Sequence, residues 1–244
     1  AVRYVEACRR ILWTPAGKPV REWLVHERQI PEDVLRTNQV GADPGPRVLP
    51  RPRGLPRHGI GAVLPALAPD GTITYFQLRY LEPPPGRDRY DNPANRLGTN
   101  PRLGWVQPAS RYAPDRLVVC EGLIDAYTAA GVGTASVAIL GAGYPDDRVA
   151  DQLAHHVRAR HVVIACDNDK AGRHAAERLH SMLATRAIPT TDICPPAAAG
   201  DLNNWARDDP TWSDQLPNIP ELQPESPASK PTPDVVVPVP GLRD

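Results

Sequence analysis

The hydrophobic pattern changes period twice along the 244 residues, from helical to alternating and then to a regular succession of both. Val2, Val5, Ala7, Ile11 and Leu12 recur at loosely helical spacing, so residues 2–13 predict a helix that Thr14-Pro-Ala-Gly17 stops. Residues 19–28 predict a second helix with Pro19 in its first turn, and Pro31 opens a third, short one that ends before Gly41. From Ile60 the period is two. Residues 61–65 and 72–80 flank the turn Pro69-Asp70-Gly71 and predict a β-hairpin. Between these blocks, residues 43–59 place Arg47, Arg51, Arg53 and Arg57 among prolines and glycines and read as an exposed basic loop, while 82–116 read as irregular and polar. After Arg116 the pattern alternates: strands over 117–120, 134–140, 161–166 and 190–194, helices over 123–130, 147–159 and 171–184. Ala175, Leu179 and Leu183 give the last helix one apolar face. Such strand–helix–strand repetition predicts a parallel sheet with right-handed crossovers.

Two of these strands end abruptly in acid: Leu117-Val-Val-Cys-Glu121-Gly-Leu-Ile-Asp125 and His161-Val-Val-Ile-Ala-Cys-Asp167-Asn-Asp169. Gly200-Asp201 follows the last strand in the same way. Side chains just past the carboxyl ends of neighbouring parallel strands converge on one crevice. Crowded carboxylates there repel one another unless a cation neutralises them, and hard oxygen ligands suit Mg²⁺ or Mn²⁺. Other readings of these residues are weaker. As an EF-hand loop, 167–178 fails because Ala171 and Arg178 occupy the fifth and twelfth positions. Gly141-Ala-Gly143 lacks the third glycine of a dinucleotide loop, Asp146 standing in its place, and no P-loop occurs. The bland alternatives are Asp169 as a helix cap and Asp125 as a surface helix residue.

Composition sharpens the picture in one respect. The formal net charge is zero, yet residues 1–116 carry 18 Lys and Arg against 11 Asp and Glu, and residues 117–244 carry 10 against 17. A basic half joined to an acidic one is what a polyanion-binding surface beside a metal site would look like, the alternative being chance variation of surface charge. The 4 cysteines are widely spaced with no CxxC, so reduced thiols and no zinc are expected. No apolar run is long enough to span a bilayer and no signal-peptide pattern opens the chain, which makes the cytoplasm the default compartment, with no membrane partner. The Pro-rich residues beyond about 209 are expected to be disordered.

The order of these clusters resembles the Toprim domain shared by DnaG-type primases, topoisomerases and related nucleases. Glu121-Gly122 with Asp125 is similar to the EGxxD glutamate motif, Asp167-Asn-Asp169-x-Ala-Gly172 to the D-x-D motif, and Gly200-Asp201-Leu-Asn-Asn204 to the trailing acidic motif. Upstream, Trp23–Arg28 through Gly41, the hairpin, and Arg89-Tyr90-Asp91-Asn92-Pro93 resemble the polymerase core of DnaG-type primases, with Arg89 where the family's Lys-Tyr-x-Asn motif has Lys.

The resemblance implies an α/β fold: a Toprim domain over 117–208, a Rossmann-like parallel sheet with flanking helices, preceded by a mixed α+β basic subdomain over 1–116 and followed by a tail over 209–244. It implies a primase-like nucleotidyltransferase that makes short RNA primers on single-stranded DNA with Mg²⁺ or Mn²⁺. Glu121, Asp125, Asp167, Asp169 and Asp201 would hold metal, Glu121 serving as general base or further ligand. Arg79, Arg89, Tyr90, Asn92 and Lys170 would hold the template or the incoming ribonucleoside triphosphate. A replicative helicase is an expected partner, and the absence of recognisable accessory domains suggests a mobile element. A Toprim nuclease or phosphodiesterase, and a noncatalytic single-strand-binding accessory, are the alternatives.

Overall fold

Among the described residues, one nine-stranded mixed sheet runs through both halves of the chain. The computed structural model describes residues 2–51, 53–56, 58–83, 85–109, 113–140, 145–157 and 161–217. In the N-terminal half, α1 (Val2–Ile11) buries Tyr4, Val5 and Cys8 and ends in Arg9 and Arg10, whose charge suits a helix C-terminus. Helix α2 (Lys18–Glu22) runs into a single π turn over Trp23–Glu27, closed by the Arg28 N–H donating to the Trp23 carbonyl at 2.9 Å. Gln29 then reverses the chain at φ 54°. Pro31 lies just outside α3 (Glu32–Thr37), which Glu32 and Asp33 open.

Strand β1 (Gly41–Asp43) and β3 (Ile73–Tyr80) both pair antiparallel with β2 (Gly61–Leu67). Gly41 is required where it stands, because a Cβ there would lie 2.7 Å from the Cys8 carbonyl carbon, and α1 could not rest on the strand. Strands β2 and β3 show the period of two: Val63, Phe76, Leu78 and Tyr80 pack beneath α1, whereas Leu64, Ala66 and Tyr75 face the larger core on the other side.

The stretch 82–116, expected to be irregular, instead carries β4 (Tyr90–Asp91), β5 (Leu103–Val106) and the start of β6 (Ala113–Cys120). Strand β5 pairs with β2 through Leu67↔Trp105 and along its whole length, antiparallel, with β7 (Thr134–Ile139), which makes it the joint between the halves. Four residues are too short a run for periodicity to register. Gly104 also sits where an apolar side chain would have advertised the strand, 3.2 Å from Ala66, Leu123 and Leu140 for any added Cβ. Parallel pairing then continues from β7 to β6, β8 (His161–Ala165) and β9 (Thr190–Asp192), giving the order β4-β3-β2-β5-β7-β6-β8-β9 with β1 beside β2.

Helices α4 (Leu123–Gly131) and α7 (Leu202–Asp208) lie on one face with the π turn and α3, around Leu24, Leu35, Leu123 and Tyr127. Helices α5 (Asp147–Val157) and α6 (Lys170–Ala184) cover the other face through Leu153, Leu179 and Leu183.

Two further expectations change. The basic stretch 43–59 is not wholly exposed: Asp43 is fully buried, takes the Tyr4 hydroxyl at 2.5 Å and pairs at 2.6 Å with Arg51, whose side chain is 2% exposed. Arg47 and Arg53 are exposed, and Arg57 lies outside the described residues. Past Asp209 the packed chain continues through a short turn, Trp212–Gln215, that buries Trp212 against Trp205 with ring centres 6.3 Å apart. The expectation of disorder otherwise falls on 218–244, outside the described residues. Among the described residues no helix is long and apolar enough to cross a membrane.

Candidate functional site

Adjacent parallel strands β6 and β8 are in register, Cys120 opposite Ala165, so the residues that follow them emerge side by side. Glu121 turns across the gap and accepts the Asp167 N–H at 3.1 Å. Asp125, in the first turn of α4, accepts the Asn203 N–H of α7 at 2.9 Å and is partly buried, not a surface helix residue. Asp169 caps α6 through the Gly172 N–H at 2.8 Å, and Asp201 caps α7 through the Asn204 N–H at 2.6 Å. Asn168 ties the two capped turns together: its side chain donates to the Pro195 carbonyl at 2.8 Å and its N–H to the Gly200 carbonyl at 2.7 Å.

Gly172 is the tightest point of this rim. A Cβ there would lie 2.2 Å from the Asp167 carbonyl oxygen and 2.4 Å from Glu121 Oε1, so only glycine lets α6 start against both strand ends. Arg173 clamps the same corner, donating to the Cys166 carbonyl at 2.9 Å and pairing with Asp192 of β9 at 2.6 Å.

The rim resists full ionisation at neutral pH. Burial, then Asp125, Glu121, Asp201 and Asp169, push Asp167 up to about 8. Burial and Asp201 push Asp125 up to about 7 against the opposing pull of the Asn203 N–H. Burial also raises Glu121, with Asp169 adding to it, although the Asp167 N–H and Arg173 act the other way. Among the described residues the Asp167 carboxylate accepts no hydrogen bond, and no three His, Cys, Asp or Glu side chains are gathered into a set that could hold a metal ion. The two facts are compatible because charges interact over distances at which they cannot share a ligand sphere. The donor chemistry, all carboxylate oxygen with excess negative charge, fits a hard divalent cation; collecting it on one ion would turn side chains from their present bonds.

Cations from the N-terminal half stand against this rim. Arg79 of β3, 9% exposed, lies opposite Tyr90 of β4, with its guanidinium 4.5 Å from the Trp23 ring centre and 5.7 Å from that of Tyr90. Arg28 stacks on the same Trp23 at 5.0 Å. Burial and the neighbouring charges of Arg79 and Arg207 lower the Arg28 pKa, while Asp201 opposes them. Tyr90, raised by burial, is held down by Arg79 and pushed up by Asp125.

Of the residues singled out from sequence, Glu121, Asp125, Asp167, Asp169 and Asp201 therefore share one electrostatic field, with Arg79 and Tyr90 beside it. Arg89, Asn92 and Lys170 are exposed. The Arg89 carbonyl accepts the Tyr80 N–H at 2.9 Å, and Asn92 accepts from Gln77 at 3.3 Å. Trp23, Arg28 and Asn203 lie in stretches that the resemblance covers, Trp23–Arg28 and Gly200–Asn204, but their place beside the rim becomes visible only when the halves are packed together.

Residues 118–205 match the family profile described as Toprim-like. Among solved structures, the chain is similar to a DNA primase domain from Pseudomonas aeruginosa, with a TM-score of 0.67 at 17% identity over 88% of this chain and 77% of that one. It is similar to the Aquifex aeolicus primase, zinc-binding and RNA polymerase domains, with a TM-score of 0.65 at 17% identity over 85% of this chain and 56% of that one. A DnaG primase catalytic domain bound to single-stranded DNA gives a TM-score of 0.63 at 18% identity over 85% and 75%. The chain thus spans little more than half the length of the Aquifex structure and about three quarters of the other two. No curated protein sequence matches it. Taken with the acidic rim, the match and the shared architecture upstream give the chain a Toprim-like domain over residues 118–205 within a fold similar to that of the DnaG-type primase catalytic core.

Proposed function

We propose that the chain is a metal-dependent, primase-like nucleotidyltransferase that makes short RNA primers on single-stranded DNA. One observation supports the reading: a layer of stacked cations and aromatics, Arg28, Trp23, Arg79 and Tyr90, lies against the carboxylate rim, the juxtaposition of positive and negative groups that joint binding of phosphate and a divalent cation would use.

In this reading Asp167 and Asp169 hold Mg²⁺ or Mn²⁺, with Asp125 and Asp201 assisting. Glu121 takes the proton of the attacking 3′-hydroxyl or serves as a further ligand. The ion, when bound, neutralises phosphate charge and favours ionisation of the hydroxyl. Arg79 and Tyr90 bind the incoming ribonucleoside triphosphate or template through charge and stacking. Exposed Arg89, Asn92 and Lys170 extend that surface along the strand. Single-stranded DNA and ribonucleoside triphosphates are the partners, and a replicative helicase delivers the template in the cytoplasm.

The test is incorporation of labelled ribonucleotide on a single-stranded template with Mg²⁺ and then with Mn²⁺, scored beside cleavage of the same DNA. Incorporation that Asp167→Asn abolishes is expected. A wild-type chain that incorporates nothing with either metal refutes the reading, and one that cuts the template moves the assignment to the nuclease.

A further inference from the structure

Asn203 is 1% exposed, and every polar group of its side chain is engaged. Its Nδ2 donates to the Arg28 carbonyl at 2.8 Å and to Thr128 Oγ1 at 2.9 Å, and its Oδ1 accepts from Arg28 Nη1 at 3.4 Å. The orientation of the amide is determined by these neighbours. Thr128 spends its own proton on the Ile124 carbonyl at 3.0 Å, so it can only accept from Asn203, and the Arg28 carbonyl can only accept. The carboxamide oxygen is therefore the atom that faces the Arg28 guanidinium.

The backbone of the same residue reaches the acidic side, its N–H donating to Asp125 Oδ1. One residue thus links the main chain and side chain of Arg28, 175 positions away, to α4 and to a rim carboxylate. Arg28 has little else to fix it. Its Nε is buried without a hydrogen-bond partner among the described residues, it makes no ion pair among them, and it lies beside the like charges of Arg79 and Arg207. Stacking on Trp23 limits the plane of the guanidinium without setting its position within that plane.

We infer that Asn203 is a positioning residue that sets the Arg28 guanidinium against the carboxylate rim and thereby governs how tightly the cationic layer binds a phosphate group. The inference rests on the nucleotide reading above. The phosphate belongs either to a ribonucleoside triphosphate or to the DNA backbone, and the two sources are separable by probe.

The experiment measures anisotropy of a fluorescent ribonucleoside triphosphate and of a fluorescein-labelled single-stranded oligodeoxynucleotide, each with Mg²⁺ and with EDTA. It compares wild type, Asn203→Ala, Arg28→Met and the double variant. Asn203→Ala is expected to weaken one probe about tenfold, an effect that persists in EDTA, and the double variant is expected to bind no worse than Arg28→Met alone. A merely structural role for Asn203 would give additive losses instead. If Asn203→Ala fails to fold, the uncharged Asn203→Ser, too short to reach both Thr128 and Arg28, takes its place with the same expectation. Binding of both probes within about twofold of wild type by the Asn203 variant, additive losses, or wild-type binding by Arg28→Met overturns the inference. A wild type that binds a probe but incorporates no ribonucleotide defeats the polymerase reading alone.

Discussion

Asp167→Asn should stabilise the metal-free protein, because the rim repels itself when every carboxyl is ionised. In the fold Asp167 is pushed from 3.8 up to about 8. Each tenfold displacement costs the ionised form about 1.4 kcal/mol, so the ceiling on the cost is about 6 kcal/mol. Asp167 is partly exposed and shares the repulsion with Asp125, itself pushed to about 7, so solvent and mutual coupling reduce the gain from the substitution to ~1–3 kcal/mol. The sign follows from proton counting. Between the ordinary carboxyl range and pH 8 the folded state holds a proton that the unfolded chain has lost, so stability of the wild type falls as pH rises through that window and levels off above it. The Asn side chain does not titrate, and its advantage should be small at pH 5 and largest above pH 8. Urea unfolding in EDTA across that range, followed by tryptophan fluorescence, measures this directly. Mg²⁺ should raise wild-type stability at pH 8 and the variant's less, since binding to the native state alone is stabilising. A variant no more stable than wild type at high pH, or a gain that is equal at pH 5 and pH 8.5, would refute the argument that uncompensated charge dominates this rim.

Three other substitutions probe the scaffold. Gly172→Ala forces a Cβ to within 2.2 Å of the Asp167 carbonyl oxygen, and thermal unfolding should show a loss of about 1–3 kcal/mol with a crystal structure showing the α6 N-terminus displaced. Asp43→Ala leaves the Arg51 guanidinium and the Tyr4 hydroxyl without their buried partner and should cost about 3–5 kcal/mol in urea unfolding, whereas an exposed arginine of the same stretch, such as Arg47→Ala, should cost nothing measurable. Trp212→Ala, or truncation after Asp209, removes a side chain 3% exposed that packs on Trp205; a melting-temperature drop matching about 3–5 kcal/mol is expected, and none if the packed chain ends at 209.

What could be read from the sequence follows from the length scale of each signal. The β-hairpin and the strand–helix alternation after Arg116 were legible because runs of five to eight residues with a marked turn or a capped helix leave a period that survives. Strand β5 was not. It is four residues long, with Gly104 at a packed position, and its pairing partners lie in both halves, so its strand character comes from tertiary contacts. The basic stretch misled for a related reason: Arg51 and Asp43 look like loop residues until the fold buries them on each other. The acidic rim was legible as chemistry, carboxylates past strand ends, but its cationic neighbours were only half so. Arg79 lay in a recognisable hairpin, while Arg28 ends a π turn and is brought beside the rim by Asn203 through a contact that spans most of the chain.

The bland and the functional readings of the acidic residues turn out to describe the same atoms. Asp169 and Asp201 are helix caps, each with one carboxylate oxygen fixed by a backbone N–H of the first turn. A capped carboxylate keeps its charge, loses rotamer freedom and presents its second oxygen in a direction set by the helix, which is what a ligand for a hard cation needs. Among the described residues, Asp169 leaves that second oxygen unbonded, whereas Asp201 also accepts from the Asn204 side chain at 3.0 Å. The two caps therefore differ in readiness. Asp169 offers that oxygen with no competing donor, while at Asp201 the Asn204 amide shares it with any ion, an asymmetry that fits the proposed arrangement of Asp167 and Asp169 at the centre of the metal site and Asp201 at its margin, where its charge also reaches Arg28.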